Sequence, residues 1–131
     1  RPHSRYVANF VGKSNEVLGT VQGIEGDHAI VDTPLGTLRG RADGSSLQPG
    51  QKAFVLFRPE AATFGSGPNA FAATLKHSTF LGAHLEWIVV AAHEPLVVTL
   101  PDRPVPAEGT ELTLSLDPER VRVFPADEAN A

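Results

Sequence analysis

An eleven-residue stretch that recurs later in the sequence constrains the fold more than any other feature of the chain. The first copy, residues 50–60, reads GQKAFVLFRPE, and the second copy, residues 109–119, reads GTELTLSLDPE. The two copies lie 59 positions apart and align without a gap. Each reads as a glycine turn, an apolar strand and a Pro-Glu stop. The sequence therefore predicts one structural unit that is used twice.

Composition limits the chain to one compact domain or two small lobes that share a core. It has 131 residues, of which 41% are hydrophobic and 20% are charged. A net charge of −4 argues against nucleic acid and anionic lipid as partners. Cysteine is absent, which excludes disulfides and thiolate metal sites. Methionine is absent as well, even from the first position, so we expect a fragment of a longer protein.

Local patterns predict an all-β chain preceded by a short helix. In residues 4–12, four apolar side chains fall on one side of a helix that Gly12 ends. Beyond this helix, alternation and turn signals predict about nine short strands, and no apolar run approaches the roughly 20 residues that span a bilayer. The strands are expected at 17–24, 27–33, 37–41, 53–57, 71–80, 85–92, 96–100, 112–116 and 121–124. This number of short strands favours tandem small barrels of the oligonucleotide/oligosaccharide-binding (OB) type.

The segment 65–70, rich in glycine and proline, is the predicted boundary between two OB-like lobes. The first lobe is expected at 15–64 and the second at 71–126. Residues 1–14 are expected to end a linker helix, and residues 127–131 to form a tail.

Two motifs that resemble ligand sites are better explained by structure. Gly12-Lys13-Ser14 ends like a phosphate-binding loop, but that loop requires a glycine at the position of Val7 and a preceding strand. A helix cap leading into a strand is the favoured interpretation. Among the histidines, His77 and His84 flank one turn, whereas zinc requires three or four converging ligands. No metal ligand is therefore predicted.

Charged residues at the ends of the two copies are the candidate contact residues. Glu60 and Glu119 resemble an acid–base pair, but duplication explains both, and we expect each carboxylate to cap the turn after its strand. Arg58 corresponds to Asp117, which predicts an opposite-charge pair if the copies pack as pseudo-symmetric halves. These four residues and Phe80 are the candidate inter-lobe or dimer contacts, and no catalytic or cofactor-binding residue is predicted.

Four segments in order resemble one protein family across essentially the whole chain. Residues 6–19 (YVANFVGKSNEVLG) resemble the junction at which the nucleotide-binding domain of a bacterial ABC-importer ATPase ends. Residues 57–60 (FRPE), 79–82 (TFLG) and 109–124 resemble three motifs of the C-terminal regulatory domain that follows it. The chain thus resembles the TOBE (transport-associated OB) domain of importers for iron(III), polyamines, phosphonates and sugars.

The resemblance implies a regulatory module of an ATP-binding subunit on the cytoplasmic face of the inner membrane. Its implied partners are a second copy of the subunit, the upstream nucleotide-binding domain and, through the parent protein, the membrane permease. The Walker A, signature and Walker B motifs that handle ATP and Mg²⁺ in the parent are absent from this sequence, so we expect no ATPase activity and no bound cofactor. The alternative is a solute-sensing module that holds a small ion or polyamine between the lobes. Asp102, Glu108 and Glu111 near the proline-rich loop favour a cation in that case.

Overall fold

β-strands make up nearly all of the regular structure. The computed structural model describes residues 14–42, 46–81, 84–100 and 105–126. In these ranges the chain forms ten strands and two 3₁₀ turns, which are Pro59–Ala61 and Pro118–Arg120. The strands are β1 (Asn15–Glu25), β2 (His28–Thr33), β3 (Gly36–Arg41), β4 (Lys52–Phe57), β5 (Ala62–Phe64), β6 (Phe71–Leu81), β7 (His84–Ala91), β8 (Glu94–Thr99), β9 (Glu111–Leu116) and β10 (Val121–Pro125).

The first sheet closes into a barrel in the strand order β1-β2-β3-β10-β4. Its strands alternate between the interior and the surface, as in β1, where Val17 and Val21 are buried and Leu18 is exposed. Neighbouring strands run antiparallel except at the seam, where Arg122 of β10 pairs in parallel with Arg41 of β3. The strand that closes the barrel therefore comes from the far end of the described chain.

The second sheet has five strands in the order β5-β9-β6-β7-β8. Trp87 of β7 is fully buried, and its ring meets that of Phe64 edge-on with centroids 5.5 Å apart. Buried side chains of both sheets form one continuous hydrophobic cluster, which includes Val55 of β4 and Leu114 of β9. The two sheets therefore share a core.

The repeated stretch is the unit of a strand exchange between the two sheets. After β4, the chain turns and enters β5, which pairs with β9, so that Ala62 lies opposite Leu116. After β9, the chain turns and enters β10, which pairs with β4, so that Val121 lies opposite Phe57. The two pairs are equivalent, because Val121 lies 59 positions after Ala62 and Leu116 lies 59 positions after Phe57, the same spacing that separates the copies.

The glycines that open the two copies have the same backbone conformation. Gly50 and Gly109 both have φ near +91°, a left-handed value that favours glycine. The backbone N–H of Gly50 donates to the carbonyl oxygen of Val21, and that of Gly109 donates to the carbonyl oxygen of Leu75. Both hydrogen bonds measure 2.8 Å, and each joins the glycine to a strand of its own sheet. The repeat predicted from the sequence is thus present in the structure, down to single hydrogen bonds.

The predicted fold class is wrong in its count and arrangement of elements. The described residues form ten strands, not nine, and only the first sheet is a closed barrel. β5 and β10 lie within the predicted lobes 15–64 and 71–126, but each pairs in the sheet of the other lobe. Helical structure in the described residues is limited to the two 3₁₀ turns, and the helix predicted at residues 4–12 lies outside those residues.

The cause of the error is that strand pairing between distant segments leaves no local signal. β5 has only three residues, too few for an alternating pattern to be recognised.

None of the helical structure in the described residues is long and apolar enough to cross a membrane.

Candidate functional site

The point at which the two halves exchange strands is the candidate site, and we call it the crossover. It comprises the two 3₁₀ turns and the strand ends that they join. Each turn begins with a proline. Proline is tolerated at this position because the first N–H of a helical turn has no hydrogen-bond partner within the turn. In the second turn, the Asp117 carboxylate accepts a hydrogen bond from the backbone N–H of Glu119 over 2.9 Å. The cap is therefore Asp117, whereas the sequence had predicted Glu119.

Two asparagine side chains hold the halves together on either side of the crossover. Asn15, only 6% exposed, donates to the carbonyl of Val97 over 2.9 Å and accepts from the N–H of Val97 over 2.8 Å. Its amide thus takes the place of a neighbouring strand along β8. Asn69 makes the same two bonds to Arg39 of β3, at 2.9 and 2.8 Å. We call these pairs the asparagine clamps.

Each clamp also contacts the end of a repeated strand. The Asn15 amide lies 3.3 Å from the carbonyl oxygen of Phe57, and the Asn69 amide lies 3.2 Å from that of Leu116. Phe57 and Leu116 are equivalent positions of the two copies, so the clamps obey the same pseudo-symmetry as the strands. They were missed in the sequence, where asparagine near a strand start resembles an ordinary turn residue.

Glu119 connects the second turn to the barrel through two basic side chains. Its carboxylate oxygens lie 2.8 Å from Nη1 of Arg41 and 2.6 Å from Nε2 of His28. Two hydrogen bonds hold the pKa of the Glu119 carboxyl below its ordinary value of 4.5, and the one from Arg41 has a larger effect than the one from His28. Because the carboxyl is 55% exposed, water screens this network.

The lowered pKa predicts a pH-dependent stability difference for Glu119→Gln. The two hydrogen bonds stabilise the folded protein above pH 4.5, and this contribution disappears as the pH falls through the lowered pKa of Glu119. The variant should melt below the wild type at neutral pH, and the difference should vanish in acid. Thermal unfolding over a pH series measures it. Glu60→Gln, at the equivalent position of the first copy, is the control and should match the wild type, and a gap for Glu119→Gln that persists in acid would contradict the prediction.

A groove of about 400 Å³ opens between the two turns. Three arginine side chains and an apolar floor form its walls. Nη1 of Arg120 also donates to the carbonyl oxygen of Glu60 over 3.3 Å, which links the two turns across the groove. We call it the arginine groove, and its lining residues are Leu56, Phe57, Arg58, Ala61, Glu119, Arg120, Arg122 and Phe124.

The structure brings most of the predicted contact residues to the crossover. Arg58 and Glu119 line the groove, Asp117 caps the second turn, and Glu60 supplies a carbonyl acceptor. The side chain of Phe80, on β6, lies outside the described part of the structure. The Arg58–Asp117 pair and any contact of these residues in a dimer stay predictions.

The sequence did not single out Arg120, Arg122 or the partners of Glu119. Each joins the site through a strand pairing, a hydrogen bond or an ion pair between distant segments; His28 and Glu119, for example, are 91 positions apart. In the ranges that the structure describes, no three histidine, aspartate or glutamate side chains gather as a ligand set for a metal ion. Guanidinium groups over an apolar floor are suited to binding an anion.

The same crossover lies within a stretch that matches a known family. Residues 55–124, more than half of the chain, match the sequence profile described as the TOBE domain. The chain belongs to the TOBE domain family. The matched segment runs from β4 to β10, so it includes both 3₁₀ turns and both exchanged strands of this TOBE domain.

Curated relatives of this TOBE domain are ATP-binding proteins of importers. It is 31% identical over 93 residues to the spermidine/putrescine import ATP-binding protein PotA of Rubrobacter xylanophilus, covering 69% of this chain and 25% of that protein. It is 31% identical over 101 residues to the Fe(3+) ions import ATP-binding protein FbpC of Brucella abortus, covering 76% of this chain and 28% of that protein. The chain thus spans about a quarter of the length of these relatives. The resemblance to an ABC-importer ATPase is confirmed, and within such ATPases the TOBE domain is a non-catalytic part.

A solved structure shares the fold. The cytoplasmic molybdate-binding protein ModG, crystallised with molybdate bound, superposes with a TM-score of 0.74 over 85% of this chain and 95% of that chain. At 13% sequence identity, the likeness concerns the fold alone.

Proposed function

We propose that this TOBE domain is the non-catalytic regulatory and dimerisation domain of an ABC-importer ATP-binding subunit for iron(III), a polyamine or a related solute. The observation that supports the proposal is the match to import ATP-binding proteins of which the chain spans only about a quarter. The rest of such a protein is where ATP hydrolysis would reside. In this proposal the domain works on the cytoplasmic face of the membrane, beside the permease.

An apolar row on the outside of the barrel is the proposed contact with a second copy. Leu18 of β1 lies opposite Phe54 of β4, and Phe54 lies opposite Phe124 of β10. Residues that face each other across antiparallel strands point to the same side of the sheet. Leu18 is 46% exposed and both rings are half-buried, so the row presents apolar surface to its surroundings. A two-fold axis through this face would place each row on its counterpart.

The proposal predicts self-association that Leu18→Glu weakens about tenfold or more, since two like charges would enter a symmetric contact. Sedimentation velocity of the chain over a concentration series measures the association. Ile24→Glu is the matched control, because Ile24 is 43% exposed on the same strand but lies beyond the row. A chain that stays monomeric at the highest concentration, or two variants that behave alike, would refute the contact.

A further inference from the structure

The arginine groove concentrates positive charge on an otherwise acidic chain. It holds three of the eleven lysine and arginine residues, although the net charge is −4. The carboxylate that lines it, Glu119, is already hydrogen-bonded to Arg41 and His28. The groove is therefore cationic, and a polyamine would be repelled from it.

The pseudo-symmetry of the fold indicates that arginine is not required at positions 58 and 122 for this backbone to form. Arg58 corresponds to Asp117 in the other copy, and Arg122 of β10 corresponds to Thr63 of β5. The second turn and β5 nevertheless have the same register as their counterparts. The same backbone thus forms in the other copy with an acidic and a neutral side chain at these positions.

Two of the guanidinium groups have N–H donors available to a ligand. Arg122 is an exposed residue between the buried Val121 and Val123, so its side chain points out of the barrel. In the part of the chain that the structure describes, the side chain of Arg122 makes no hydrogen bond or ion pair. Arg120 uses one donor for the carbonyl of Glu60, at 3.3 Å, and has several others.

We propose that the arginine groove binds a small phosphate ester. Arginine is the side chain best suited to phosphate, because its planar fork donates two parallel hydrogen bonds to two oxygens. The volume of about 400 Å³ exceeds what a phosphate group alone fills, and the half-buried ring of Phe124 offers an apolar surface to the organic part. The ligand would join the two turns at the crossover and stabilise the strand exchange.

Titration calorimetry of the chain with ADP, inorganic pyrophosphate and adenosine tests this site. We expect ADP to bind, pyrophosphate to bind more weakly and adenosine not to bind. Arg122→Ala should weaken ADP binding about tenfold or more, as expected for the loss of charge-assisted hydrogen bonds. Lys76→Ala removes the same charge from an exposed position on β6 and should leave binding unchanged. Phe124→Ala should weaken ADP more than pyrophosphate.

Several results would overturn the proposal. Absence of ADP binding at millimolar concentration would exclude the site, and an equal loss in Arg122→Ala and Lys76→Ala would show attraction to overall charge only. Pyrophosphate that binds as tightly as ADP would remove the role of the organic part. Phe124 belongs both to the groove and to the apolar row, so the titrations are repeated with Leu18→Glu, which weakens the proposed dimer contact. ADP should still bind this variant, and loss of binding in it would overturn the groove as a site of the single chain.

Discussion

Replacing Asn15 by alanine is expected to lower the free energy of unfolding by about 2–3 kcal/mol, and Tm by on the order of 10 °C. The side chain is 6% exposed and bonds both backbone groups of Val97, at 2.8 and 2.9 Å. Alanine removes these bonds and leaves the N–H and C=O of Val97 without their partner, which costs more than the bonds contribute. Chemical denaturation with a two-state fit measures the loss.

Asn15→Asp separates the hydrogen bonds from the packing of the side chain. The aspartate retains an acceptor for the N–H of Val97 but brings a carboxylate against the carbonyls of Val97 and Phe57, so it should destabilise at least as much as alanine. Hydrogen exchange of the Val97 amide should accelerate in both variants. Asn69→Ala should have the same direction with a smaller effect, since Asn69 is more exposed. A change below about 0.5 kcal/mol for Asn15→Ala would show that the clamp does not stabilise the fold.

Local patterns predicted nine of the ten strands but not their partners. The predicted strand 112–116 is found as β9, and the predicted strands 17–24 and 27–33 are found as β1 and β2, which a tight turn at Gly26 joins. These elements have strong local signals, an alternating apolar pattern and a tight turn. The exchange of β5 and β10 has none, because the choice of partner depends on which sheet edge is free once the other strands have paired.

The candidate site was predicted in part for the same reason. Arg58, Glu60, Asp117 and Glu119 were identified because they lie within the repeat, whose alignment is visible in the sequence. Arg122 has the outward position that alternation with Val121 and Val123 predicts. Its place beside Arg58 follows only from the pairing of β10 with β4.

The clamps, the exchanged strands and the groove are structurally connected through β10 and the two turns. β10 closes the barrel, follows the second turn and carries two of the residues that line the groove, Arg122 and Phe124. A ligand at the groove or a partner on the apolar row would therefore contact the strand whose position depends on both halves. Binding to the folded form alone would stabilise this arrangement by mass action. Binding at the groove or at the apolar row would consequently change stability through the docking of β10.

Gly40→Ala tests that docking, and we expect it to lower the free energy of unfolding by about 2–3 kcal/mol. A Cβ at Gly40 would lie 2.6 Å from Cγ1 of Val121 and 3.0 Å from its carbonyl oxygen, where β10 crosses β3. Either β10 shifts outward or the side chain of Val121 leaves its position in the core, where it is fully buried. Gly23→Ala is the control, because a Cβ at that glycine meets no atom within 4 Å and should change stability little.

The double variant with Val121→Ala identifies the contact responsible. Val121→Ala alone should cost about 2 kcal/mol, because it leaves a cavity in the barrel. Removing Cγ1 relieves the closest contact of the alanine at position 40, so the combined loss should fall short of the sum of the single losses by about 1 kcal/mol or more. Additive losses would place the strain of Gly40→Ala elsewhere than at Val121. A shortfall would locate it at the seam where β10 closes the barrel, and the same variants should then weaken ADP binding at the groove, since Arg122 follows Val121 directly on that strand.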